Sequence, residues 1–497
     1  MPLIPVFLLV ALPWLNPFAS GPTPATLPLL FSWACAAALL GMWRHGTSRW
    51  VFVAAWAWLA AGLLSAVIGL CQYFGVAAGF SPWMSQAGVG EAFANLRQRN
   101  QFATLTNISL VALLYLAATR RFAGRLHWLM FAAAALLATG NAASSSRTGL
   151  LQLIVLCALF GIWGGVRHAA VRHIFLTAIV SYGLAILVLP WVAGFDFFSQ
   201  GMFARLRAGE QGCGIRSTLW SNVLYLIGQK PWFGWGWGEL DYAHYITLYD
   251  GPRFCEILDN AHNLPLHLAV ELGIPAALVI CGALVWWVLR QRPWSETNPA
   301  RQLAWGVLAV ILLHSLLEYP LWYGPFQMAA GLCVLLLWRE ADTEGAPNRP
   351  NMPLAQMTRS LSAFVLIAAI AFAAWDYHRI SQIYLASEAR DETYRDNTLV
   401  KIRDSWLFRN QVRFAELSLT PLTRDNAEWT FDTATALLHY SPEPRIIEKV
   451  IESAVMLGRD DEAMAHMMRY RAAFPADYAR WTQSNKEHSP GLPQRMP

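Results

Sequence analysis

From Leu3 to about Tyr377 the chain is a succession of apolar runs, each long enough to cross roughly 30 Å of hydrocarbon. Inside a bilayer every backbone N–H and C=O must find its partner within the protein, as it does in a helix. Runs starting near Leu3, Ala25, Val51, Gln101, Leu126, Thr148, Ile174, Leu264, Gln302, Leu321 and Leu361 therefore predict an all-α polytopic membrane protein. The expected number of transmembrane helices is about eleven to twelve. Composition agrees: 56% hydrophobic against 14% charged over 497 residues is too apolar for a soluble multidomain protein. The first run is followed at once by more membrane helix, and Met1 carries no basic stretch, so it reads as a span and not a cleaved leader.

Arginine placement orients the spans, because short loops rich in Lys and Arg stay in the cytoplasm. Loops carrying Arg44/Arg49, Arg120/Arg121/Arg125, Arg167/Arg172, Arg290/Arg292 and Arg339/Arg349/Arg359 alternate with basic-poor ones, which places the N-terminus inside and the tail outside. The net charge of +5 is thus a topology signal. Single arginines between apolar helices do not build a phosphate-tracking groove, so no nucleic acid is expected as partner.

Chemistry is expected on the outer side. Two arginines and two glutamines, Arg97, Gln98, Arg99 and Gln101, stand at a helix entrance, where anions and sugar hydroxyls can be bound; snorkelling arginines are the plainer alternative. Ser144-Ser145-Ser146-Arg147 forms a polar corner that either caps a helix or presents one unusual charge. A long outer loop, about residues 196–262, holds Arg216 and the run Pro231-Trp232-Phe233-Gly234-Trp235-Gly236-Trp237-Gly238. Those tryptophans suit either interfacial anchoring or stacking on sugar rings. The loop ends on Asn260-Ala261-His262-Asn263, a histidine where polar loop becomes membrane helix. His262 and His267 lack the i,i+4 spacing of a metal pair, and neither a metal nor a cofactor is expected. Finally His314, Glu318 and Tyr319 lie at the outer end of a span, where an acid is expensive and tends to mark a site.

In this order and on one side of the membrane, these motifs resemble bacterial O-oligosaccharyltransferases, in the superfamily of O-antigen ligases and Wzy-type polymerases. The resemblance runs to about Arg339 and implies a GT-C-like membrane glycosyltransferase in the bacterial inner membrane. It implies inverting, metal-independent transfer of a glycan from undecaprenyl pyrophosphate to a periplasmic hydroxyl. Arg147 and Arg216, with Arg99, match phosphate-binding positions. His262 matches an essential histidine, either a base toward the acceptor hydroxyl or a group that orients it. Gln98, Gln101, His314, Glu318 and Tyr319 become glycan or acceptor contacts. The acceptor is a Ser/Thr of a pilin-like protein, or the lipid A core if the chain is a ligase or polymerase. A transporter or flippase is the reading from another class, and would place ionisable residues at mid-membrane depth.

Two further expectations concern organisation. Residues 1–377 are expected to form the transmembrane domain and 378–497 a small helical periplasmic domain with amphipathic stretches at Asn426–His439, Arg445–Leu457 and Asp460–Ala473, of which Gly458–Ala463 with the helix ending near Phe474-Pro475 resembles part of a tetratricopeptide unit. Cys213 and Cys255, alone among the cysteines in lying in the long outer loop, are expected to pair in an oxidising periplasm.

Overall fold

The computed structural model describes residues 3–42, 47–119, 125–196, 201–202, 205, 215–343 and 353–488. Among the described residues every regular element is helical. Each expected apolar run contains a helix: α1 (Leu3–Leu15), α2 (Thr26–Met42), α3 (Thr47–Tyr73), α4 (Arg99–Thr119), α5 (Arg125–Ala143), α6 (Arg147–Ile162) and α7 (Ala169–Val192). Within the stretch 196–262 lie α8 (Arg216–Gln229) and α9 (Leu240–Ile246), and after it come α10 (Leu264–Leu272), α11 (Ile274–Gln291), α12 (Pro299–Ser315), α13 (Gly324–Thr343) and α14 (Pro353–Ser381).

Among the described residues five segments are long and apolar enough to cross a membrane: Arg49–Tyr73, Arg99–Thr119, Ala169–Val192, Ile274–Ser295 and Gln356–Tyr384. Helices α1, α2 and α6 and the stretch Gly324–Trp338 are apolar but shorter. The run expected to start at Leu264 is broken. Gly273, at φ 88°, ends α10, and the span-length helix begins at Ile274. The chain divides into two compact units, residues 1–209 with 285–375, and residues 210–284 with 376–497.

In the first unit α4 is the central element, buried from Gln101 through Ala117. It packs on α3, α5, α6 and α12. Close approach of α3 and α4 depends on Gly62, where an added Cβ would lie 2.0 Å from Ser109 Oγ. Ser109 Oγ uses that proximity to donate to Trp58 O across the helix pair at 2.7 Å. The segment before α4 is held by two amides. Gln72 Nε2 donates to Ser85 O and Ala94 O at 2.8 and 2.9 Å, while its Oε1 accepts from Phe93 N and Ala94 N. Asn95 Nδ2 donates to Leu15 O and Trp83 O at 2.9 and 3.0 Å.

In the second unit a Trp-Gly strap lies against α10. Trp235 N and Gly236 N donate to Val270 O and Glu271 O at 2.9 and 3.0 Å, and Ile274 N donates to Pro231 O at 2.8 Å. Two glycines make this fit possible. A Cβ on Gly234 would stand 2.3 Å from Glu271 O, and one on Gly273 would stand 2.2 Å from Trp232 O.

The tail of the same unit forms α15 (Glu392–Arg395), α16 (Thr398–Ile402), α17 (Arg409–Leu419), α18 (Ala427–Leu438), α19 (Pro444–Met456), α20 (Asp460–Ala473) and α21 (Pro475–His488). Three of these fall on the expected amphipathic stretches. Helix α9 completes their core: Tyr245 is buried among Phe414, Leu438, Ile447 and Tyr470. Its hydroxyl meets His466 Nδ1 at 2.9 Å, and Tyr242 stacks on His439 at 3.7 Å between ring centres.

Gly62→Ala should lower stability by about 1–3 kcal/mol, the usual range for an overpacked contact. Adding Ser109→Gly should recover most of that loss, read as melting temperature in detergent.

Candidate active site

Helix α4 carries Asn100, Thr104 and Asn107 at steps of four and three residues, which places them on one face of a buried helix. Asn107 Nδ2 donates to Gly149 O and to Gln152 Oε1, both at 3.0 Å, and Asn107 Oδ1 accepts from Asn141 Nδ2 at 3.1 Å. Gln152 Nε2 in turn donates to Thr104 Oγ1 at 2.8 Å and to Val310 O at 2.9 Å. Among the described residues Asn141 Oδ1, at the far end, has no partner.

Thr104 fixes the tautomer of His314. Its hydroxyl donates its single proton to Asn100 O at 2.7 Å, so His314 Nδ1, 2.9 Å away, must be the protonated ring nitrogen. His314 is buried, with its ring edge-on to Phe326 and its Nδ1 on Thr104. The expected glycan or acceptor contact at His314 would have to be made through this network.

Asn100 joins three of the sequence motifs. Its Nδ2 donates to Glu318 Oε1 at 3.1 Å, and its Oδ1 accepts from Ser146 Oγ at 2.6 Å. Ser146 is the cap of α6, accepting from Gly149 N at 2.9 Å. Gln98 likewise caps α4, its Oε1 accepting from Gln101 N at 2.6 Å, and Gln101 is buried. Tyr319, next to Glu318, stacks on Tyr323 with 6.1 Å between ring centres and meets Trp322 at 5.1 Å. That aromatic shelf beside a carboxylate suits a sugar ring.

Arg99, Arg147 and Arg216 are each the first residue of a helix. A cation at the positive end of a helix dipole is unfavourable by about 0.3–1 kcal/mol, so helix stability does not account for them. Such positions suit an anionic ligand. Arg99 already meets the Glu91 carboxylate. Arg147 is exposed beside the Ser144–Ser146 corner, and Arg205 Nη1 reaches the same corner, donating to Ser145 O at 3.1 Å. Together they present two guanidiniums and a helix N-terminus in one place. Arg205 and Asn100 received no role from the sequence. Arg205 sat unmarked in a long loop, whereas Asn100 was readable as the start of a polar i, i+4, i+7 stripe.

Arg216 and His262 belong to the second unit. His262 is half-buried at φ 50°, a left-handed conformation that few side chains adopt outside functional turns. Asn260 Oδ1 holds it there by accepting His262 N at 2.8 Å, and Asn263 Oδ1 caps α10 by accepting Leu266 N at 3.1 Å. Burial pushes the Asp259 carboxyl upward, and the nearby His262 opposes that shift. Trp220 Nε1 donates to Ala261 O at 3.1 Å, which ties α8, and so Arg216, to the His262 turn. Cys255 is disulfide-bonded, and Cys213, its expected partner, lies outside the described residues.

Three family models match the chain: Protein glycosylation ligase over residues 92–117, O-Antigen ligase over 132–281, and Virulence factor membrane-bound polymerase, C-terminal, over 302–488. The first covers all but the last two residues of α4, the second covers Arg147, Arg216 and His262, and the third covers His314 to Tyr319. The ComP-specific O-oligosaccharyltransferase of Acinetobacter baylyi is 28% identical over 284 residues, 56% of this chain and 50% of the relative. The General O-oligosaccharyltransferase of the same organism is 24% identical over 300 residues, 59% of this chain and 51% of the relative. The chain thus spans about half the length of the curated relatives it matches.

Asn100 should behave as a clasp. Asn100→Leu removes one hydrogen-bond partner each from Glu318 and Ser146 and should destabilise the protein equally at pH 5 and pH 8, by about 1–3 kcal/mol. Asn100→Asp sets a second carboxylate against Glu318, so its stability should fall as pH rises between those values. Melting curves of both variants check this.

Proposed function

Because the chain belongs to the bacterial O-oligosaccharyltransferase family, in the superfamily of O-antigen ligases and Wzy-type polymerases, we propose that it transfers a lipid-linked glycan to a hydroxyl of a periplasmic, pilin-like protein. The donor is a glycan on undecaprenyl pyrophosphate. The observation that carries this reading is the set of arginines at helix N-termini, above all Arg147 with Arg205 at the start of α6.

The chemistry is a single displacement with inversion. The acceptor Ser or Thr oxygen attacks the anomeric carbon as the bond to the pyrophosphate oxygen breaks. Charge grows on the leaving pyrophosphate, and guanidiniums with backbone N–H groups stabilise it without a divalent cation. His262 takes the acceptor proton or holds the hydroxyl in line, with Asp259 close enough for their charges to interact. Tyr319 and Glu318 contact the glycan. The catalytic face, with residues 378–497, is periplasmic, and the N-terminus is cytoplasmic. The names of the two relatives favour a protein acceptor; the O-Antigen ligase match favours the second reading, with the lipid A core as acceptor.

Expression in a glycosylation-deficient host, supplied with donor and either a pilin-like acceptor or a lipid A core acceptor, separates the two. Glycan should appear on the protein. His262→Ala should lower transfer by about 100-fold or more at normal membrane level; wild-type transfer by that variant would remove His262 from the site.

Arg147→Lys and Arg216→Lys should each reduce turnover with purified donor by roughly tenfold or more, about 1.4 kcal/mol. An ammonium cannot reproduce the planar fork that grips two phosphate oxygens. Normal turnover in both would make these arginines topological.

A further inference from the structure

We propose that the second unit rests on the bilayer surface through two apolar feet, each pinned at the mouth of a span-length helix. That unit takes in the first turns of α11 and the last residues of α14, since 274–284 and 376–381 belong to it. Two membrane-crossing segments, Ile274–Ser295 and Gln356–Tyr384, therefore run into the same body. A body joined to two spans stands against lipid, and the side chains at the two junctions have to suit the water–hydrocarbon boundary.

The first foot is the front of the Trp-Gly strap. Ile274 N, on the first residue of the span, donates to Pro231 O at 2.8 Å, and Trp232 O lies against Gly273. This backbone pairing holds Trp232 and Phe233 beside the start of the span. Both carry large apolar rings, yet their side chains are 71% and 88% exposed. One turn into the span, Leu278 and Val279 are exposed as well. Strap and helix thus present apolar surface on both sides of the same junction.

The second foot is built on a buried carboxylate. Asp376 Oδ2, where the apolar stretch of α14 ends, accepts from Ser405 Oγ at 2.8 Å and from Leu407 N at 3.3 Å. Arg379 adds a second clasp, donating to Lys401 O at 2.9 Å and meeting the Asp404 carboxylate. Residues 401–407 are thereby tied to the end of the span. The clasp leaves Val400, Leu407 and Trp406 outward, Trp406 at 79% exposure. Lys401 and Arg409, both exposed, flank them in the chain, and Lys230 precedes the first foot. Aromatic and aliphatic side chains bordered by basic ones are the composition of segments that lie in the headgroup layer.

The test places the photoreactive residue p-benzoylphenylalanine at position 233, 406 or 468 of the full chain, in nanodiscs of phosphatidylethanolamine and phosphatidylglycerol. Phe233 and Trp406 are so exposed that the replacement disturbs no packing. Met468 is the control, an exposed apolar residue on α20, which packs on α9, α19 and α21. Phospholipid adducts found by mass spectrometry should be more abundant at 233 and 406 than at 468 by roughly tenfold or more, the occupancy ratio for about 1.4 kcal/mol of partitioning.

Adducts at 468 as abundant as at the other two positions would overturn the proposal, because lipid contact would not be confined to the feet. So would cross-links to a second copy of the chain in place of lipid, seen as a doubled mass on a denaturing gel. Absence of lipid adducts at 233 and 406 in protein that elutes as monodisperse, wild-type-like material would overturn it too. Glycan transfer is not part of this readout, so a protein that moves no glycan would count against the proposed function and leave the feet standing.

Discussion

A polar group in hydrocarbon must be paired inside the protein, and the α4 stripe is where this chain meets that requirement. Asn100, Thr104 and Asn107 would be heavy liabilities on a lipid-facing helix, yet α4 is enclosed by its neighbours. Burying the stripe requires α6 and α12 to supply Gln152, Val310 O and His314 in register. The same register delivers Ser146 and Glu318 to Asn100 at the helix ends. Close packing of α3 on α4 at Gly62 and Ser109 keeps α4 at the centre. The candidate site of the first unit is the outer end of a network whose inner part is structural.

Electrostatics at the helix starts is arranged against fold stability. Arg99, Arg147 and Arg216 each sit where a helix dipole repels a cation. Arg99 is balanced by Glu91, and Arg147 is joined by a second guanidinium from Arg205. Positive charge concentrated at exposed amide ends is useful when the ligand is a pyrophosphate whose charge rises as the bond breaks. Arginine suits this better than lysine because its fork is rigid and weakly hydrated.

Much of the helical framework was legible because hydropathy reports it directly, and each apolar run holds a helix. The break at Gly273 was not, because only the strap lying across it, with Trp232 O against the glycine, shows why the helix must stop there. Arginines at helix starts were found as charges in loops that should lack them, although their N-terminal placement needed the exact helix bounds. Asn100 was hidden in plain view: asparagine within a motif full of longer polar side chains draws no notice until its two partners, 46 and 218 residues away, are seen. Arg205 carried no signal beyond its charge. Pairing over such separations is set by tertiary packing, which local pattern does not encode.

The second unit is discontinuous in the chain, and this bears on how the protein is made. Residues 210–284 leave the ribosome long before residues 376–497, with most of the first unit's second half between them. Until the tail is synthesised, Tyr242 and Tyr245 on α9 lack part of the core they belong to, whereas the Trp-Gly strap and the His262 turn already share a core built from residues 219–277. Assembly of this unit is therefore a late, long-range event, slow by its topology and exposed to misassociation in the interval. A nascent chain stalled after α13 would carry the complete α4 network and the local core beside His262, with Tyr242 and Tyr245 on α9 still lacking their partners from the tail.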